Sequence, residues 1–233
     1  MPKRWSAWGD RPFLFTAFAC VVFVISTVIA MLLYPGGSVA DPNSRGYSFF
    51  HNFFSSLGLT VAVNGDPNTW SLVLFVGALI LAGLGLAWFF VAVPQFYRRT
   101  RAQTALSLAG SLFGVLSGLC YIGVALTPAN LVPGPHGRFT LWAFQAFLLT
   151  AVLYAVATWF NQAYPKVYAW VYVGFAVLLA GYVWLMLSGP DSDTVRGAMI
   201  QATGQKIIVY AAICCMLIQS VGAIRLWGRG AAA

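Results

Sequence analysis

Six stretches of about 20 apolar residues, none with an Asp, Lys or Arg in its middle, leave this chain few folds to adopt. They run over about 13–34, 70–93, 104–126, 139–160, 167–187 and 205–227. A helix rises about 1.5 Å per residue, so each stretch is long enough to cross the roughly 30 Å hydrocarbon core of a bilayer. Hydrocarbon offers the backbone no hydrogen-bond partner, so each must be a helix. A membrane barrel would show alternating segments of about ten residues, and these runs do not alternate. Composition agrees. The chain is 60% hydrophobic and 8% charged, against about 25% charged in a soluble domain, which excludes a soluble monomer. Its 16% aromatic content excludes disorder. The expectation is an all-α, polytopic integral membrane protein: one six-transmembrane-helix bundle spanning 1–233, with no low-complexity linker dividing it.

The net charge of +8 is read by position. Lys3, Arg4, Arg11, Arg98, Arg99, Arg101, Lys166, Arg225 and Arg229 fall on one side of the spans; Arg45, Arg138, Arg196 and Lys206 fall on the other. The richer side is expected in the cytoplasm, with both termini. The basic excess is then topological and does not point to nucleic acid. Of the five aspartates, Asp41, Asp66, Asp191 and Asp193 lie on the outer side, and there is no Glu. The first span follows basic residues, and Ser38-Val39-Ala40 resembles a signal-peptidase site. Its apolar core is longer than the 7–15 residues of a signal sequence, so it is expected to stay as a span. Cys20, Cys120, Cys214 and Cys215 form no disulfide or metal spacing and read as small apolar filler.

The third span carries Gly110, Gly114 and Gly118 four residues apart, with Ser107 and Ser111 nearby. Such a strip lets another helix approach closely, either within the chain or in a homodimer or larger membrane complex.

The chemistry gathers in the outer loops. In the first, Pro35 to Thr69, the segment Tyr47 to Leu59 carries Phe50, Phe53, Phe54 and Leu57 at the spacing of one helix face. His51, Asn52, Ser55 and Ser56 fall opposite. The pattern predicts a short amphipathic helix on the membrane surface or dipping into it. The second outer loop, 127–138, has three prolines and the other histidine, His136, and is expected to be stiff and non-helical. The third holds Asp191, Asp193, Arg196 and Lys206. Four readings follow. His51 could be a general base for Ser55 or Ser56, oriented by Asp41, Asp191 or Asp193, in a lipid hydrolase or acyltransferase; no nucleophile elbow supports this. His51 and His136 could ligate zinc or haem. His51, Asn52, Asp41 and Arg45 could tie the loops together. Arg45, Arg138 and Arg196, with flanking Trp and Tyr, could grip lipid phosphate. A transport role lacks a mid-span ionisable residue; Gln145 and Gln219 are the polar positions there.

Tyr34-Pro35-Gly36, Tyr47-Ser48, Asn52 and Ser55-x-Leu57-Gly58, followed by Gly123-x-x-Leu126-Thr127-Pro128 and His136-Gly137, carry a resemblance. They are similar to a prokaryotic family of six-helix membrane proteins known as a domain of unknown function. That family is distantly related to the damage-regulated autophagy modulators and the post-GPI-attachment lipid-remodelling factor. The resemblance covers the first loop through the fourth span. It implies a six-helix bundle in a prokaryotic plasma membrane, both termini cytoplasmic, tied to lipid remodelling, lipid asymmetry or trafficking. One acidic residue of the family is Ser56 here and the other is Asn130 or absent, which weighs against catalysis. The expectation carried forward is a cofactor-free, non-catalytic protein whose outer polar residues contact membrane lipids or a protein partner.

Overall fold

The computed structural model describes residues 8–231. Lys3 and Arg4, two of the basic residues counted above, lie outside them, as does the side chain of Arg229. Six helices span the apolar stretches: α1 (Arg11–Leu33), α2 (Thr69–Ala92), α3 (Arg101–Leu126), α4 (Pro133–Trp159), α5 (Lys166–Ser188) and α6 (Val195–Ala231). All six are long and apolar enough to cross a membrane, and the protein is an integral membrane protein. No strand occurs among the described residues, only isolated bridges at Gly36–Arg45 and Val61–Pro67.

The helices pack in chain order, and α6 returns to α1 to close a ring. The α1–α6 contact is looser than α1–α2, α2–α3 and α3–α4. With an even number of helices, both chain ends lie at one end of the ring, where Gly9 packs near Trp227. This is called the terminal end; the 34–68 connection sits at the opposite, loop end.

Glycines decide how closely α2, α3 and α4 approach. A Cβ on Gly118 would lie 2.6 Å from the Gly83 carbonyl oxygen, and one on Gly83 would lie 2.6 Å from the Gly118 oxygen. Gly114 receives the Phe90 ring, and Gly110 receives Tyr154. The strip on α3 is therefore used within the chain, against α2 and α4. It leaves no glycine face for the homodimer or complex contact considered above. The face of α3 that does point outward is leucine-rich: Leu108, Leu112, Leu116 and Leu119 are exposed, as expected of a surface solvated by lipid.

The terminal half of the ring is filled by aromatic side chains. Phe89, Phe90, Tyr97, Tyr154 and Tyr172 are fully buried there. Their hydroxyls are paired where the structure demands it. Tyr97 and Thr158 share a hydrogen bond of 2.7 Å, and Tyr154 donates to the Ser107 carbonyl at 3.0 Å and meets Ser111 Oγ at 2.7 Å. Burial pushes the Tyr97 hydroxyl well above the ordinary tyrosine range, although its bond to Thr158 opposes this. The connections at this end are tied down as well. Asn161 Nδ2 donates to the Phe96 carbonyl at 3.0 Å, and Gln103 Nε2 donates to the Phe160 carbonyl at 2.9 Å.

Two helices begin well before the starts that hydropathy predicts. α4 starts at Pro133, so the second connection is short and His136 lies in the first helical turn. Proline at the start of a helix removes only an amide that had no partner there, so the proline-rich stretch opens a helix instead of forbidding one. α6 starts at Val195, ten residues before its predicted beginning. Thr194 caps it, its Oγ1 accepting from Gly197 N at 3.1 Å. Asp191 folds the preceding turn by accepting from Asp193 N at 3.0 Å. Arg196 and Lys206 are therefore helical residues.

The glycine packing sets a clear contrast. Gly118→Ala should destabilise the protein by about 1–3 kcal/mol, the usual cost of overpacking. Gly174 meets nothing within 4 Å, so Gly174→Ala should leave thermal unfolding in detergent unchanged or slightly raised.

Candidate functional site at the loop end

The segment 47–59 is not the amphipathic α-helix its spacing suggests. Residues 49–52 form turns, and only Phe54–Gly58 is helical, as a short 3-10 helix. The reason is packing. Instead of lying on the surface, the segment folds into the mouth of the ring. Phe54 stacks on Phe23 of α1, with ring centroids 5.8 Å apart, and meets Tyr210 of α6 edge-on at 5.7 Å. Leu57 is fully buried, and Gly58 lies so close to Phe75 of α2 that a Cβ would sit 2.7 Å from the ring. The apolar face is split as a result: Phe54 and Leu57 are buried, whereas Phe50 is exposed. The polar face is split too: Asn52 and Ser56 are buried, whereas His51 and Ser55 are half-exposed.

Irregular backbone inside a membrane protein must find its hydrogen bonds in the protein, and here polar side chains supply them. Tyr47 anchors the entry. Its hydroxyl lies 3.1 Å from the Asn52 carbonyl oxygen and 2.9 Å from that of Phe53. Burial, reinforced by Tyr210 and Tyr34, raises its pKa far above the ordinary range, so it remains a donor. Asn52 folds the turn: its Oδ1 accepts from Ser48 N at 2.8 Å, and its Nδ2 donates to the Gly37 carbonyl at 2.8 Å. Gly37 itself has a left-handed φ of +82°, and a Cβ there would lie 2.4 Å from Asn64 N. Asn68 Nδ2 donates to the carbonyls of Leu57 at 3.0 Å and Leu59 at 2.8 Å, and Ser71 Oγ also donates to Leu57, at 3.2 Å.

From α6 come Gln205, which the sequence did not single out, and Lys206, which it placed in the third outer loop. Gln205 Oε1 accepts from Phe54 N at 2.7 Å. Lys206 is 1% exposed. Its ammonium donates to the carbonyls of Asn52 and Ala202 and faces the rings of Tyr47 at 5.4 Å and Phe49 at 5.2 Å. Lys206 thus belongs to the interior and not to an outer loop. Its depth is shallow: neighbouring Gly204 packs on Leu185, beside the exposed Trp184 that marks an interfacial position. A buried ammonium is tolerated there because carbonyl oxygens and aromatic faces surround it. The signal available in the sequence was a Gln-Lys pair at the entrance of an apolar run.

The other expected site residues distribute as follows. His51 Nδ1 lies 3.1 Å from Ser48 Oγ, and no hydrogen bond joins Ser55 to either imidazole among the described residues. His136 Nδ1 lies 2.7 Å from the Thr127 carbonyl oxygen, holding the end of α3 to the start of α4. Asp41 accepts from Asn43 N at 3.0 Å within its own turn. Asp191, as above, is similarly local, and Asp193 is exposed. No three His, Cys, Asp or Glu side chains come together as a metal cluster among the described residues. Asn130 clasps Thr60: its Oδ1 accepts from Thr60 N at 3.1 Å and its Nδ2 donates to Thr60 Oγ1 at 2.7 Å. Arg45, Arg138 and Arg196 are exposed at this end, without a hydrogen-bond or ion-pair partner among the described residues.

No protein-family model, curated protein or solved structure matches the chain.

The plug predicts its own weak point. Gln205→Leu leaves Phe54 N buried without an acceptor, which should cost about 1–3 kcal/mol. Amide exchange should speed up at Phe54, while the paired amides of α3 and α4 keep their protection.

Proposed function

We propose that the protein is a non-catalytic integral membrane protein of a prokaryotic plasma membrane, both termini cytoplasmic, whose outer face contacts the phosphates of membrane lipids. One observation carries this reading: Arg45, Arg138 and Arg196 are exposed and unpaired at the loop end, while most other polar groups there are already hydrogen-bonded. A guanidinium forks onto a phosphate through two parallel N–H···O bonds. Exposed Phe49, Phe50, Leu131 and Val132 at the same end suit the glycerol and upper acyl region of a lipid. The orientation rests on the distribution of Lys and Arg.

The hydrolase or acyltransferase alternative draws little support from this geometry. Its serine does not meet its base, and the hydroxyl that does, Ser48, is paired through a local turn without a carboxylate behind the imidazole. The resemblance noted in the sequence fits a lipid-associated role, and six of its fifteen motif residues fall in the segment 47–59.

Purified protein should retain an anionic phospholipid by native mass spectrometry. The combined variant Arg45→Gln, Arg138→Gln and Arg196→Gln should lose it, at about tenfold in affinity per strong contact removed, and high salt should weaken binding in the wild type. Equal retention by wild type and variant would contradict the reading.

A further inference from the structure

Below the plug the ring is not completely filled. A cavity of ≈ 80 Å³ lies between the plug and the aromatic half of the bundle, and a smaller space of ≈ 40 Å³ under Phe54 shares Phe23, Leu79, Tyr121 and Val209 with it. The larger cavity is bounded on α1 by Thr16, Ala19 and Cys20 and on α6 by Ala212, Ile213 and Met216. Cys20 is the tenth residue of the 23-residue α1, which puts the cavity near the middle of the membrane.

The wall is dry in character. Thr16 Oγ1 is satisfied by the carbonyls of Pro12 and Gly85, both at 2.8 Å. The Tyr121 hydroxyl makes no hydrogen bond among the described residues and could offer one partner, fewer than the two to four a buried water needs. The occupant that matches such a wall is therefore apolar. The cavity is about half the roughly 150 Å³ that holds a benzene ring, so it suits a narrow chain end and not a ring system or a whole lipid. The bilayer supplies such chain ends at this depth. The way in is between α1 and α6: of the two sparsest seams of the ring, α1–α6 and α5–α6, only this one has both helices in the cavity wall, with small residues, Ala19 and Ala212, lining it.

We propose that this cavity is a binding site for the terminal segment of a membrane phospholipid's acyl chain, which enters between α1 and α6. The site is separate from the exposed arginines, and the proposal stands or falls independently of the headgroup reading.

The test uses the full chain in phosphatidylcholine vesicles carrying a phospholipid with a diazirine at the end of one acyl chain. Illumination and peptide mapping should place adducts on the lining residues around Cys20 and Ala212. A phospholipid with its diazirine near the glycerol should not label these residues. Ala212→Phe fills the cavity and should lower the lining adducts at least fivefold, relative to adducts on outward-facing Phe18 and Ile25. The milder Ala19→Val should lower them in the same direction if the larger substitution fails to fold. Chain-terminal labelling confined to outward-facing residues would overturn the proposal. So would lining adducts that persist unchanged in the folded filling variants, or that form equally with a diazirine fatty acid and both phospholipids.

Discussion

Backbone amides and carbonyls that leave a helix inside a membrane protein must be paired by the protein itself, and this requirement organises the loop end of the bundle. The segment 47–59 enters the ring because Phe54 and Leu57 find apolar partners on α1, α2 and α6. Once inside, its peptide groups need donors and acceptors. Tyr47, Asn52, Asn68, Ser71, Gln205 and Lys206 provide them. A residue that looks like a site in the sequence, Asn52, is thereby explained as part of a folding device. Lys206, the one cation buried in this region, is explained in the same way: carbonyl oxygens and aromatic faces stand in for its lost water.

The two halves of the ring are filled by different means. Toward the terminal end, glycines on α2 and α3 bring the helices close, and aromatic rings close the space with their hydroxyls paired. Toward the loop end, the helices leave a mouth that the first connection closes. The residual cavity lies where these two fillings meet. Other residues conspicuous in the sequence fall on the same architecture. Gly36 allows the chain to pass Ser44, Tyr47 and Asn52 fold the plug, Gly58 admits Phe75, and His136 joins α3 to α4.

The six spans were legible because hydropathy over about 20 residues leaves a chain little choice in a bilayer. Their beginnings were less so. At Pro133 and Val195 polar residues continue a helix past the apolar run, and local capping by Thr194, invisible to hydropathy, sets the true start. The apolar spacing of Phe50, Phe53, Phe54 and Leu57 pointed to a helix, but tertiary contacts overrode it: burial of Phe54 and Leu57 favoured a 3-10 turn and left Phe50 outside. Asn52 and Lys206 stood out from sequence; Gln205 did not, and the contacts of both α6 residues were hidden because they depend on a loop about 150 residues away in the chain. The glycine strip was visible, yet its partner, α2 and α4 and not a second chain, needed the three-dimensional packing.

The first connection is folded into the bundle and does not lie on the membrane surface. Ser55 and Val209 line the same space of ≈ 40 Å³ beneath Phe54. In a chain with its four cysteines replaced, the pair Ser55→Cys and Val209→Cys should cross-link under mild oxidation, and a single Leu57→Cys, at a fully buried position, should react slowly with a membrane-impermeant maleimide. Rapid maleimide labelling at position 57, with no cross-link between positions 55 and 209, would place the segment on the surface instead.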